Sequence, residues 1–486
     1  MSDISGIVAA QRAFFNSGRT RDVDFRIRQL GVLRRAFKDN ETLLLEALYA
    51  DLRKSPYEAY LTELGIVLED IRLYRKKTRG WAKPRRVKTP YYHLPASSWI
   101  YPEPYGVALV IAPWNYPFQL AVAPLVAAIS AGNCAVVKPS EFSVHTAAVL
   151  ADLAARYFDP AYLAVVTGGV ETSQALLAER FDKIFFTGSP TVGRVVMSEA
   201  ARHLTPVTLE LGGKSPCVVE QDADIALSAK RIVSGKFINA GQTCIAPDYL
   251  LVHHSVRERL VDEIRRTIRR FFGKDPAHSA VYPKIINRRH LERLAGLMEG
   301  TTILWGGDYD PDTLYFSPTL VAEMPLSHPV MQEEIFGPIL PVVPYDTLAE
   351  VIDIIHSRPK PLALYLFTGD SGKAKAVMNR VSFGGGCVND TLIHFATPYL
   401  PFGGVGNSGL GNYHGKFGFD AFSHQKGVMK NTFRVDFPFR YPPFFKHIKL
   451  LKRLLRSKRG LCPRRICYRP KRRNPRGQIR ENGFLQ

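Results

Sequence analysis

Val107-Ala108-Leu109-Val110-Ile111-Ala112-Pro113-Trp114-Asn115-Tyr116-Pro117 opens the part of the chain that decides the fold. Its first six residues are apolar without a break, so a strand built from them has no face for water and must be covered on both sides. The theme then repeats. Helical patterns over 119–130, 144–157, 172–178 and 192–202 alternate with strand patterns over 134–137, 163–166 and 183–187. Short apolar strands alternating with helices predict a doubly wound parallel sheet. Strands at 207–209, 217–219 and 249–252, helices over 225–237 and 256–272, and alternation through Leu366 predict a second α/β domain.

Upstream, residues 22–77 carry apolar side chains at helical spacing, as in Leu61, Leu64, Leu68 and Ile71, and predict two or three amphipathic helices packed on that body. Residues 81–104 are proline-punctuated and β-prone, and read as an extended excursion from the first domain. The glycine runs at 384–386 and 403–406 read as loops, and 422–439 as strand-like.

The chain has 486 residues, too many for one ordinary core, with 46% hydrophobic and 22% charged side chains. Six cysteines in that length do not make a disulfide framework, and the sequence has neither a CxxC pair nor an HExxH motif. A reduced, cytoplasmic, metal-free protein is expected. The first residues lack the basic start and apolar core of a signal peptide, and no run approaches the roughly 20 apolar residues of a membrane span. The net charge of +21 suggests a polyanion partner until it is divided. Residues 446–486 hold 15 Lys/Arg and one Glu, whereas the other 445 hold 50 basic and 43 acidic groups. The charge belongs to a tail, and no nucleic acid is expected as the partner of the body.

Five short stretches carry chemistry. Asn115 follows the first parallel strand, at the end of the sheet where ligands bind; its amide either aims at an oxyanion or satisfies its own loop. Lys138 and Glu141 follow the next strand, where a nucleotide ribose is held, or form a solvated pair. Thr187-Gly188-Ser189-Pro190 links a strand to a helix whose free N–H groups can face a phosphate. Glu210 sits between Leu209 and Leu211, so burial raises its pKa toward that of a general base, unless a salt bridge claims it. Cys244 follows a small glycine turn, Asn239-Ala240-Gly241-Gln242-Thr243, and is either a nucleophile or a packed thiol.

Pro113-Trp114-Asn115-Tyr116-Pro117, Lys138-Pro139-Ser140-Glu141, Phe186-Thr187-Gly188-Ser189-Pro190-Thr191-Val192-Gly193, Leu209-Glu210-Leu211-Gly212-Gly213-Lys214-Ser215-Pro216, Gly241-Gln242-Thr243-Cys244, Glu333-Glu334-Ile335-Phe336-Gly337-Pro338 and Pro401-Phe402-Gly403-Gly404-Val405-Gly406-Asn407-Ser408-Gly409 occur in that order. With them the chain resembles the aldehyde dehydrogenase superfamily, in its class 3 branch for fatty and aromatic aldehydes, over about residues 3–445. The resemblance implies an aldehyde dehydrogenase-like α/β fold. Its Rossmann-type cofactor domain would be residues 1–85 and 104–207, and its second α/β, catalytic domain residues 208–415. A small β bridging domain that joins two subunits would be residues 86–103 and 416–445.

The same resemblance implies NAD(P)-dependent oxidation of an aldehyde to an acid through a thiohemiacetal and a thioester. Cys244 matches the nucleophile, Asn115 an oxyanion donor and Glu210 the base that activates water. Lys138 and Glu141 match the adenosine-ribose contacts. Thr187, Gly188, Ser189 and Gly193 form the turn beside the pyrophosphate, where Pro190 departs from the more usual Thr. Glu334 and Phe336 match the nicotinamide-ribose and ring contacts. NAD is the implied cofactor, with NADP tolerated in this branch, and a homodimer is the implied assembly.

Within the tail, Ile448, Leu451, Leu454 and Leu455 share one helical face against a basic remainder. That pattern suits peripheral contact with an anionic membrane through 446–456, or a helix packed on its own subunit. Two further function classes stand beside aldehyde oxidation: an acyl-CoA-linked aldehyde dehydrogenase or reductase, and polyanion binding through the tail as a secondary role.

Overall fold

The computed structural model describes residues 3–437, 440–442, 448, 449 and 452. The segment read as amphipathic at 446–456, apart from those three positions, and the tail cysteines Cys462 and Cys467 lie outside the described residues. By its internal contacts the chain divides into one unit of residues 1–84 and 101–426, and another of residues 85–100 and 427–486.

The first unit is built on two sheets. One has six strands in the order Gly409–Leu410, Val207–Glu210, Lys183–Thr187, Val107–Ile111, Cys134–Lys138, Leu163–Val165. All its pairings are parallel except that of Gly409–Leu410. Val107–Ile111 is buried along its whole length, as its unbroken apolar run requires. From there the chain adds Cys134–Lys138 and Leu163–Val165 on one side, then returns to add Lys183–Thr187 and Val207–Glu210 on the other. The order therefore reverses between Val107–Ile111 and Lys183–Thr187, which opens a crevice at their carboxyl ends. Helix Gln119–Ala131 is buried on every side, as a helix that is apolar all round must be. It stops at Gly132, in the left-handed region at φ 100°.

The other sheet has seven strands in the order Ile303–Trp305, Thr319–Val321, Ile339–Tyr345, Tyr249–His253, Pro216–Val219, Ala363–Phe367, Gly385–Val388. The last strand corrects the reading of 384–386 as a loop. It pairs in parallel with Ala363–Phe367, and a Cβ on Gly386 would lie 2.1 Å from the Leu364 carbonyl oxygen. Its glycines are there for close backbone approach, which a sequence pattern reads as a turn.

Two more boundaries differ. Trp81 is the last residue of helix Gly65–Trp81 rather than the start of the excursion. Arg85–Val87 pairs antiparallel with residues 98–100 of strand Ser97–Pro104, whose other neighbour is Ser423–Lys430. The strand read over 422–439 thus ends at Lys430, where the polar Asn431-Thr432 follows.

Candidate active site

Asn115 and Thr187 stand at the two strand ends that flank the crevice. Thr187 is the last residue of its strand, in register with Glu210 on the next, and Glu210 faces Gly409 on the far side. Glu210 is 2% exposed, and neither carboxyl oxygen has a hydrogen-bond partner among the described residues. Burial pushes its pKa well above the usual carboxylate range.

The segment that delivers Cys244 leaves helix Ile225–Phe237 through three left-handed residues, Asn239 (φ 50°), Ala240 (φ 50°) and Gly241 (φ 73°). Two of these are not glycine, so surrounding contacts must hold them there. Asn239 donates its main-chain N–H to Glu58 at 2.9 Å and its side-chain amide to the carbonyls of Asn115 at 2.8 Å and Gln242 at 3.1 Å. Gly241 has no alternative, since a Cβ would lie 2.3 Å from the Gly337 carbonyl oxygen. Gln242 closes the turn by donating to Asn239 and Lys284 and accepting from Ile286 N–H.

This turn is laced to the Asn115 loop. Asn115 Nδ2 donates to the Gln242 carbonyl at 3.0 Å, and the Tyr116 hydroxyl meets Thr243 Oγ1 at 2.7 Å. Asn115 is 2% exposed and its Oδ1 has no partner among the described residues. One of its two amide protons goes to Gln242, and the other has no partner among the described residues.

Cys244, Thr243, Tyr116, Thr187 and Glu210 share the wall of a cavity of about 490 Å³. Most of its remaining lining is apolar or aromatic, including Leu61, Ile66, Leu120, Ile245, Phe271, Leu392, Ile393, Phe395, Phe402 and Tyr413. Burial raises the Cys244 pKa, and the carboxyls of Glu334 and Glu210 raise it further. The main-chain N–H groups of Cys244 and Ile245 act in the opposite direction, by donating toward the sulfur. Among the described cysteines Cys134, Cys217 and Cys387 are buried, and Cys244 is half-buried.

The positions matched to a cofactor by resemblance form a second group. Lys138, 2% exposed, meets Glu141 at 2.8 Å beyond the end of its strand. Ser189 caps helix Pro190–Ala201, accepting from Val192 N–H at 3.3 Å, with Pro190 at the first position where its missing donor costs nothing. Gly193 faces Leu211, and a Cβ there would lie 2.7 Å from a Leu211 methyl. Glu334 lies over Gly212, where a Cβ would come within 1.9 Å of its carboxyl, so glycine leaves room for the acid. Burial, and next Asp248, raise the Glu334 pKa to about 8. Phe336, at φ 51°, packs edge-on against Trp114 at 5.3 Å.

These residues suit a dinucleotide. Among the described residues Thr187 Oγ1 and Glu334 Oε1 are buried without partners, and the Glu334 carboxyl suits a ribose hydroxyl. The positive dipole end of a 12-residue helix, just after Ser189, suits a pyrophosphate. Asn115, Thr187, Glu210 and Cys244 therefore come together, Glu334 lies beside Gly212 in the Glu210 motif, and Lys138 with Glu141 stands apart beyond the neighbouring strand.

Sequence reading missed the residues that hold the site in place: Lys54, Glu58, Glu63 and Asn239, with Tyr116 and Tyr413 in the cavity wall. Glu63 falls within a helical pattern and Lys54 just after another, a weak signal that the amphipathic reading absorbed.

The sequence profile of the Aldehyde dehydrogenase family matches residues 2–428. A 4,4'-diaponeurosporen-aldehyde dehydrogenase of Staphylococcus aureus is 48% identical over 443 residues, covering 90% of this chain and 96% of its own. A dimeric NADP-preferring aldehyde dehydrogenase of Canis lupus familiaris is 45% identical over 445 residues, covering 91% and 98%. The substrate-bound structure of a Staphylococcus aureus AldH superposes with a TM-score of 0.92 at 47% identity, covering 94% of this chain and 100% of that one. With a matching profile over most of its length, and relatives that align nearly end to end, the chain belongs to the aldehyde dehydrogenase family.

Proposed function

We infer that this NAD(P)-dependent aldehyde dehydrogenase takes medium- or long-chain aliphatic, or aromatic, aldehydes, and that Cys244, Asn115 and Glu210 carry the reaction. The observation that supports this most directly is one apolar cavity with a thiol and an unpartnered carboxyl in its wall. The Cys244 sulfur, as thiolate, attacks the carbonyl carbon. The free N–H of Asn115 and the main-chain N–H of Cys244 hold the oxygen as it becomes an oxyanion. A bound NAD(P) would supply the hydride acceptor, and Cys244 would then hold the acyl group as a thioester. Glu210 takes a proton from water, which attacks the thioester and frees acid and thiol. A carboxyl with a raised pKa is a stronger base once ionised, which suits Glu210 to hydrolysis; transfer to CoA needs no such base.

Lys138 and Glu141 would hold the adenosine ribose, with Glu141 disfavouring a 2′-phosphate by repulsion. The turn at Thr187, Gly188, Ser189 and Gly193 would meet the pyrophosphate, and Glu334 with Phe336 the nicotinamide ribose and ring. On this reading residues 1–85 and 104–207 serve the cofactor and 208–415 the chemistry. Residues 86–103 and 416–445 would join a homodimer, consistent with the polar, exposed face of Ser423–Lys430 at the edge of its sheet. Among the described residues no helix is long and apolar enough to cross a membrane. Peripheral contact through 446–456 is tested by flotation with anionic vesicles, where loss of binding on removing 446–486 supports it.

The substrate assignment is tested by kcat/KM for a homologous series of n-alkanals and for benzaldehydes, with each cofactor. Burying one CH₂ contributes about 0.8 kcal/mol, so kcat/KM should rise roughly fourfold per methylene until the cavity is filled. A series that is flat in chain length, or that favours the shortest aldehydes, overturns it.

A further inference from the structure

Behind the cavity lies an ion pair that the reaction does not touch. Lys54 follows helix Glu41–Leu52, and Glu63 belongs to the wide helical turn Tyr60–Leu64. Both side chains are fully buried, and Lys54 Nζ lies 2.5 Å from Glu63 Oε1. A buried ammonium has three protons to satisfy. One goes to Glu63, and another to the main-chain carbonyl of Asn115 at 2.9 Å. The charge also lies over the Tyr116 ring, 4.0 Å from its centre. The second oxygen of Glu63 accepts the main-chain N–H groups of Phe118 at 2.9 Å and Gln119 at 3.3 Å. Both charges therefore act on one short stretch, residues 115–119. Asn239 holds the same Asn115 carbonyl at 2.8 Å, and Glu58 anchors Asn239.

We propose that Lys54 and Glu63 are positioning residues for the oxidation: they fix the main chain of Asn115 so that its free amide N–H faces the oxyanion formed when Cys244 attacks. The proposal rests on the reading of Asn115 as an oxyanion donor. For stability alone, well-packed apolar residues of the same volume would serve as well as a buried ion pair. What the pair adds is direction, because charge-assisted hydrogen bonds fix the particular main-chain atoms they reach. An oxyanion donor depends on that, since it lowers the barrier only if it is oriented before the charge develops.

A double-mutant cycle on the full chain tests the coupling, with Lys54→Met, Asn115→Ala and the double variant. Three readouts are needed: the pre-steady-state burst of reduced cofactor, the cofactor Kd and the melting temperature. Asn115→Ala should slow the burst about 10²- to 10³-fold. Lys54→Met should slow it about tenfold or more with cofactor Kd unchanged, because a small misplacement of a reacting group is costly. In the Asn115→Ala background, Lys54→Met should add less than about twofold, the mark of two residues acting through one contact. If Asn115→Ala leaves the burst at the wild-type rate, the oxyanion reading fails and this proposal fails with it. If Asn115→Ala is slow, the proposal alone is overturned by either of two results: Lys54→Met at the wild-type burst rate, or a full, multiplicative loss in the double variant. Should Lys54→Met not fold, Glu63→Gln, which keeps an acceptor for the main-chain N–H groups, enters the same cycle with the same criteria.

Discussion

The turn after Thr187 and the turn before Cys244 each join regular structure to an active group, and they are built on opposite terms. At Ser189 the backbone is ordinary (φ −72°, ψ 151°), the cap is a single hydroxyl, and Val192 and Val195 on the following helix are about half exposed. At Asn239 and Ala240 the backbone is left-handed, both residues are fully buried, and the side-chain contacts come from residues as far away as Glu58. A cofactor that arrives and leaves needs an open helix end. On the proposed mechanism the Cys244 thiol forms and breaks a covalent bond and needs one fixed position, which the strain and desolvated charge around it would provide.

Substitutions at the chemical end should break this contrast most strongly. Cys244→Ser should lower kcat by at least about 10⁴-fold, because neither thiohemiacetal nor thioester can form; the measurement is steady-state formation of reduced cofactor. Glu210→Gln should retain a burst of reduced cofactor and lose about 10²- to 10⁴-fold in steady-state turnover, with an acyl-enzyme visible by mass spectrometry. Normal turnover would remove Glu210 from the mechanism.

Two stability effects follow in size. Burial raises the Glu58 pKa to about 7 in the folded chain, against the charge of Lys54 and the N–H of Asn239. Folding therefore favours its protonated form: that contribution is complete below about pH 4.5 and is lost as pH rises to about 7. Glu58→Gln has no proton to lose and still accepts from Asn239. Relative to wild type it should gain up to about 3 kcal/mol between pH 5 and pH 8, read from denaturant unfolding at both. A relative loss over that interval would show the carboxyl to be ionised in place. Gly241→Ala must put a Cβ 2.3 Å from the Gly337 carbonyl oxygen at φ 73°, and should cost about 2 kcal/mol or more by the same measurement.

The smallest effect belongs to the open end. Glu141→Gln should leave kcat with NAD unchanged and improve the NADP/NAD ratio of kcat/KM by about tenfold, since one repulsion is removed at a partly solvated position. A large loss of kcat there would mean that the two turns are less independent than their construction implies.

The open end was also the more legible in sequence. Apolar runs such as Val107–Ile111 and the residues 184–186 of strand Lys183–Thr187 announce buried parallel strands, and the rest of that region follows from where such strands end. Glu210 and Cys244 could be placed through their flanking glycines and apolar neighbours. Their support could not. The left-handed Asn239 and Ala240 exist because of Glu58 and Asn115, 181 and 124 residues away along the chain. Lys54 and Glu63 look in sequence like two charges on an amphipathic helix, and only tertiary packing reveals that both face inward. The glycines at 384–386 misled for a related reason: they mark close contact between strands, which is invisible until the neighbouring strand is in place.

Glu63 sits in the turn Tyr60–Leu64, and that same turn sends Leu61 and Thr62 to the cavity wall, with Ile66 one step on. What Glu63 grips is main chain, the N–H groups of Phe118 and Gln119, so the fastening does not read which side chains those positions carry. Gln119 and Leu120, also in the wall, are therefore exchangeable without loosening it. Lineages can thus alter which aldehydes fit by exchanging Leu61, Thr62, Ile66 or Leu120, while the oxidation step passes unchanged from one substrate range to the next.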